Sequence, residues 1–174
     1  MENLKLSYFS ITVVIAALLI AGGWYITHGS KSNLKTYQNE VVKIEFEYAT
    51  DWSNMVTDKA LDKLVKLNNP KVFMLINNLK ISPMGLKSGQ SAFNRLSFEG
   101  YEELGSEEVK IGETNGVKIG FTYVENGEKM QACEVLVPVG EKEMVLLGLY
   151  GPAADFESSH VEFAEIVTSI SIKN

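Results

Sequence analysis

From Leu6 to Thr27 the chain carries no charged residue, reading LSYFSITVVIAALLIAGGWYIT. At about 1.5 Å of rise per residue, roughly 20 helical residues cross the ~30 Å hydrocarbon core of a bilayer. A helix is the single-segment structure that satisfies its own backbone there. Tyr8 near one end and Trp24-Tyr25 near the other stand where amphipathic rings favour headgroups. A soluble helix of this length seldom stays apolar on every side. The run therefore predicts a transmembrane anchor within residues 1–27. The competing reading is a cleaved signal peptide and a secreted product. In that reading Lys5 is the n-region, Ile11 to Ile20 the h-region and Ala21-Gly22-Gly23 the cleavage site. Trp24-Tyr25-Ile26 extends the run to anchor length and favours retention. No cysteine follows closely to carry a lipid.

Residues 28–35, HGSKSNLK, read as a short polar linker, leaving residues 36–174 as one domain. Lys31, Lys35 and Lys43 follow the anchor, but large downstream domains translocate largely regardless of such charge. The domain is expected outside the cytoplasm, as part of a single-pass protein of the cell membrane.

The net charge of −6 falls entirely on residues 28–174, and Arg95 is the sole arginine. Nucleic acid binding needs a basic, arginine-rich stripe, so that class is excluded. Cys133 is the one cysteine, so no intrachain disulfide forms. About 140 residues bury enough surface to fold without one.

Periodicity supplies the elements. Val41–Tyr48 alternates apolar and charged residues, a half-buried strand. Asp58 to Leu67 places Leu61, Leu64, Val65 and Leu67 at helical spacing with Asp58 as a cap, so a helix is expected, stopped by Asn68-Asn69-Pro70. Lys71–Asn77 is a short apolar run, a strand covered on both faces. Ser82–Gln90 reads as a loop. Ser91–Leu104 reads as a helix with Ala92, Phe93, Leu96, Tyr101 and Leu104 facing inward. Strands follow at Glu108–Gly112, Val117–Glu125 and Glu128–Val139, with turns at Thr114-Asn115-Gly116 and Asn126-Gly127. The second is the strongest short hairpin signal. Met144–Tyr150, apolar on both faces, is expected at the sheet centre. A last helix over Phe156–Ser169 turns Phe163, Ile166, Val167 and Ile170 inward. The class is α+β: an antiparallel sheet of about six strands sandwiched between helices.

The opening strand IEFEYATDW, the meander from Glu107 to Gly151 and the closing FAEIVTSISI resemble the PsbP-like family in its broad sense, which includes the Mog and DcrB-like proteins. Members begin with a strand into a Tyr-Pro-x-x-Trp turn; here Tyr48 and Trp52 match and Ala49 replaces the proline. The resemblance covers roughly residues 36–173. It implies an antiparallel sheet between helices, in proteins often exported or membrane-attached, and no single task.

Chemistry is sparse. His160 stands three residues after Glu157, but a metal site needs three or four converging ligands, and His160 is expected on the surface. Cys133 shares a strand face with Val135 and Val137 and reads as a buried, inert thiol. Glu99, Glu102, Glu103, Glu107 and Glu108 lack the spacing of a calcium loop and read as a solvated face. No metal, cofactor or catalytic set is assigned. The expected function is noncatalytic binding to an envelope protein partner. The alternative is a small-ligand or lipid carrier with a cleft near Trp52, where Trp52, Lys80 and Lys87 are the candidate ligand-binding residues.

Overall fold

A computed structural model of the chain describes residues 33–41, 43–56, 61–80 and 86–173, with backbone alone for 54–56 and 86–88. The expected anchor and most of the linker lie outside these residues. Among the described residues no helix is long and apolar enough to cross a membrane.

Ten strands and two helices are described. They are β1 (Leu34–Asn39), β2 (Ile44–Ala49), β3 (Trp52–Val56), β4 (Leu61–Lys66), β5 (Asn69–Leu79), α1 (Leu86–Ser97), β6 (Glu102–Ile111), β7 (Thr114–Glu125), β8 (Glu128–Gly140), β9 (Glu143–Pro152), α2 (Phe156–Ser169) and β10 (Ser171–Ile172). Seven strands form one sheet in the order β3-β4-β5-β9-β8-β7-β6, and a small sheet runs β1-β2-β10. Every pairing is antiparallel. The class is therefore α+β as expected, with a main sheet larger than six strands. β9 holds its centre, as its two apolar faces demanded.

Each face of the main sheet has its own core. On the first, α2 and the small sheet bury Tyr37, Phe46, Trp52, Met74, Val135 and Phe163. On the second, Ile119, Phe121, Met130, Leu136 and Tyr150 pack with Phe98 and Tyr101, which lie just after α1. A fully buried large apolar side chain contributes about 1.5–3 kcal/mol.

The strand that opens at Ile44 ends because the chain changes sheets. Thr50 and Asp51 form the turn between β2 in the small sheet and β3 in the large one. Trp52, the first residue of β3, is fully buried there. Its indole Nε1 donates to Glu162 Oε2 of α2 at 3.0 Å, and Lys66 of β4 pairs with Glu162 Oε1 at 2.6 Å. The small sheet is fastened separately: the Tyr37 hydroxyl and Asn39 Nδ2 donate to buried Asp62 Oδ2 at 2.5 and 2.9 Å.

Several expected elements are corrected. Leu61–Lys66 is a strand, not part of a helix, and Asp58 lies outside the described residues. Its buried positions are Asp62, Leu64 and Lys66, with Leu67 left 64% exposed. Two of the three inward residues are charged, Asp62 accepting at Oδ2 from Tyr37 and Asn39 and Lys66 pairing with Glu162, so the apolar spacing misled. The first strand starts at Ile44 rather than Val41, and β1 occupies Leu34–Asn39 ahead of it. Residues 86–90, read as loop, begin α1. That helix stops at Ser97 instead of Leu104. Gly100, at φ +62°, turns the chain into β6, and Val124 N–H donates to Glu99 O at 2.8 Å. The first meander turn is Gly112-Glu113, closed by the Ile111–Thr114 pair, with Gly112 at φ +58°. The Asn126-Gly127 turn stands where expected, both residues at positive φ, as a type I′ hairpin requires. Helix α2 matches Phe156–Ser169.

Candidate functional site

Two features of the domain are not accounted for by packing. One is a groove on the first face of the sheet, beside the start of α2. Three strands meet there in register: Gly105 of β6 faces Gly120 of β7, which faces Cys133 of β8. Neither glycine has a positive φ, so neither is required by backbone conformation. A Cβ on Gly105 would meet nothing within 4 Å, and one on Gly120 nothing closer than Leu104 Cβ at 3.9 Å. Glycine inside a strand weakens it and often marks a place where another group approaches the backbone closely.

A bulge shapes the wall. The β6–β7 register shifts between Glu103 and Gly105, leaving Leu104 unpaired and 56% exposed at the rim. Bulges re-aim side chains in this way. The opposite wall comes from the first turns of α2, where Phe156 and His160 stack with centroids 5.6 Å apart at 21°. Gln131 and Ser106 add polar atoms, and the recess has a volume of about 290 Å³.

The electrostatics of the groove are quiet. Lys118 Nζ binds Glu107 Oε1 at 2.9 Å across the strand pair. This bond holds the Glu107 carboxyl below the usual carboxylate range and lifts Lys118. Burial pushes the Cys133 thiol up to about 11. Near neutrality Cys133 is therefore a protonated, apolar part of the floor, as its strand position predicted, and not a nucleophile. Among the described residues no group of three or more acidic, histidine or cysteine side chains is placed to hold a metal ion.

A second hollow of about 710 Å³ lies on the other side of α2, against Asn68, Asn69 and Asp155. Within it Asn69 Nδ2 donates to Asp155 Oδ2 at 3.0 Å.

The other unexplained feature is α1. Its inward residues are Gln90 and Asn94, 7% and 0% exposed. Both donate to Glu134 Oε2, at 3.0 and 2.8 Å, while the Tyr150 hydroxyl donates to Oε1 at 2.6 Å. Glu134 is 1% exposed, so a buried carboxylate is met by three neutral donors. Burial and then the Glu134 charge hold the Tyr150 phenol well above its ordinary value. The apolar residues expected inside lie outside: Phe93 is 61% and Leu96 89% exposed. The helix is amphipathic with its polar face turned in.

The candidate ligand-binding residues are not gathered in one place. Trp52 is enclosed in the first-face core, Lys80 is exposed just after β5, and Lys87 lies in the first turn of α1 on the second face. Gly105, Gly120 and Leu104 were missed because their meeting depends on the bulge. Glu134 had a signal: it interrupts the otherwise apolar alternation Met130, Ala132, Leu136.

No family model and no curated protein matches this sequence. Solved structures do. The domain is similar to cyanobacterial PsbP (CyanoP) of Synechocystis sp. PCC 6803, with a TM-score of 0.61 and 11% identity over 83% of this chain and 95% of that one. It is similar to the Ran-binding protein Mog1p of Saccharomyces cerevisiae, with a TM-score of 0.61 and 11% identity over 82% and 96%. LpqN of Mycobacterium tuberculosis, described as involved in cell envelope biogenesis, gives 0.61 and 16% over 84% and 88%. The Tyr48–Trp52 motif, the meander and the closing helix thus belong to a fold of the PsbP and Mog1 type.

Proposed function

We propose that this protein is a membrane-anchored, extracytoplasmic binding module without catalytic activity, and that it receives a side chain of an envelope protein partner in the Gly105–Gly120 groove. The observation that carries this reading is the paired glycines. Both accept a Cβ without a clash, yet both leave the space empty. The uncharged run from Leu6 to Thr27 supports the anchor. The envelope setting of LpqN and the Ran-binding role of Mog1p, proteins of the same fold, fit a binding role in the envelope. The apolar rim at Leu104 and the aromatic wall at Phe156 suit an apolar or aromatic side chain.

The test uses a photocrosslinking amino acid at position 104 in the full chain, expressed in its own membranes. The reading expects one dominant protein adduct that a Gly120→Val background removes while melting stays unchanged. Leu67, 64% exposed in the β4–β5 turn, is the control position. Equal adducts from 67 and 104, or adducts indifferent to Gly120→Val, contradict it.

A small-ligand carrier is the second reading, favoured by the polar atoms of Gln131, Ser106 and His160 around the same recess. Native mass spectrometry distinguishes it: a bound small molecule lost in Gly120→Val supports the carrier, and a bare mass removes it.

A further inference from the structure

β6 is an outer strand of the main sheet, and among the described residues it pairs with β7 alone. The turns fix which of its backbone groups are spent. A two-residue turn is closed by a pair that exchanges both backbone hydrogen bonds, and bonded and unbonded pairs alternate from there. Counting back from the Ile111–Thr114 pair, Val109, Glu107 and Gly105 bond β7. Lys110, Glu108 and Ser106 therefore turn their N–H and C=O groups to the open side. Counting from the Glu125–Glu128 pair agrees: Gly120 falls in an unbonded pair with Cys133, so its backbone groups are the ones that bond Gly105.

Resting on the reading that the groove receives a partner's side chain, we propose that the partner supplies it from an extended, basic segment that adds to β6 as an eighth strand. Donors and acceptors alternating at strand spacing are met in full by another extended backbone. Recognition by strand addition takes its affinity from those bonds and its specificity from pockets for alternate side chains. Here the pocket lies in register. Gly105 offers no hydrogen bond on its open side, so a residue laid opposite it is in the closer type of pair, with Cα atoms about 4.5 Å apart. Its side chain points to the same face as Gly105, Gly120 and Cys133. An aromatic ring there covers the bare glycines from the neighbouring strand.

Charge selects the occupant. β6 carries Glu102, Glu103, Glu107 and Glu108 against one lysine, Lys110. A second copy of β6 would bring the same net negative charge, and like charges keep open edges from pairing with their own kind. Glu107 is held by Lys118. Glu108 is exposed, so a lysine or arginine opposite it completes a cross-strand ion pair. The bulge at Leu104 interrupts the regular edge, so the added strand is short and runs along Gly105 to Ile111.

The test uses the full chain in its own membranes, with the photocrosslinking amino acid placed in turn at 106, 108 and 110. The added strand predicts adducts to one partner protein. Their sites should advance in step along a single short stretch that holds a lysine or arginine, because paired strands keep a fixed register. Glu108→Pro removes one outward N–H and leaves the bonds to β7, a placement that an edge strand accepts. It should lower the position-104 adduct roughly tenfold, the worth of one interchain hydrogen bond. Glu108→Gln keeps that N–H and should lower the adduct by no more than about threefold. The crosslink map uses no proline variant, so it decides the matter even if Glu108→Pro melts early. Scattered sites from 106, 108 and 110, or adducts to a second copy of this chain, overturn the added strand. So does an undiminished position-104 adduct in a well-folded Glu108→Pro protein; the groove then stands if Gly120→Val still removes that adduct. An ordered map with a position-104 adduct indifferent to Gly120→Val keeps the strand and removes the groove.

Discussion

The ring of Tyr150 lies over Gly148, and its hydroxyl donates to Glu134 Oε1 at 2.6 Å, on the residue directly paired with that glycine. A Cβ on Gly148 would sit 2.6 Å from Tyr150 Cε2, and the ring, stacked on Phe73 at 5.4 Å, has nowhere to swing. Gly148→Ala is predicted to destabilise the fold by about 1–3 kcal/mol through overpacking. Tyr150→Phe leaves Glu134 Oε1 without that donor, a loss of about 1–3 kcal/mol. Urea denaturation measures both, and a wild-type midpoint for either variant contradicts the arrangement.

Two glycines of β7 should behave oppositely. A Cβ on Gly116 would meet the Leu136 carbonyl oxygen, a backbone atom, at 2.7 Å. Gly116→Ala is expected to destabilise by about 1–3 kcal/mol. Gly120→Ala should leave stability unchanged or raise it by about 0.4–1 kcal/mol, since alanine narrows the unfolded ensemble. Thermal melts of the pair separate a glycine needed for packing from one kept for space. A large loss in Gly120→Ala would assign the groove a structural cause.

Glu162 accepts from Trp52 Nε1 and pairs with Lys66, whose side chain is 10% exposed. Removing it strands both groups. Glu162→Ala is predicted to destabilise by about 1–3 kcal/mol, below the full value for a buried pair because Glu162 itself is 34% exposed. Adding Lys66→Met should recover part of the loss. A double variant less stable than Glu162→Ala alone contradicts the account.

Alkaline pH tests the buried phenols. Burial raises Tyr123 to about 12 and holds Tyr37 and Tyr150 well above the ordinary value. A raised folded value means the native state holds the proton more tightly. The stability it contributes is fully present below about pH 10, where unfolded tyrosine titrates, and is lost as pH rises through the folded values. The melting temperature should fall above about pH 10, with the tyrosinate absorbance appearing together with unfolding. Tyrosinate absorbance that rises fully in the folded protein contradicts it.

Elements whose signals are local were legible in the sequence. The Asn126-Gly127 turn sets its own positive φ values, α2 shows its inward face at helical spacing, and β9 is apolar on both sides. Elements settled by distant partners were not. β4 turns Asp62 and Lys66 inward because Tyr37, Asn39 and Glu162 await them. α1 turns its polar side inward because Glu134 lies 40 residues further along the chain. A charged residue on an apolar strand face was the available clue, and it implied a polar cover for that face. The groove needed the bulge at Leu104 to bring Gly105 opposite Gly120, a register that neither strand's own pattern specifies.

The central claim is that Gly120 keeps a space for a partner's side chain. Its most direct measurement is the yield of the position-104 crosslink in Gly120→Val, compared with the unsubstituted chain at matched expression and melting temperature. The account predicts that the dominant adduct disappears while the protein remains as stable as before. An undiminished adduct in a well-folded Gly120→Val protein would contradict it.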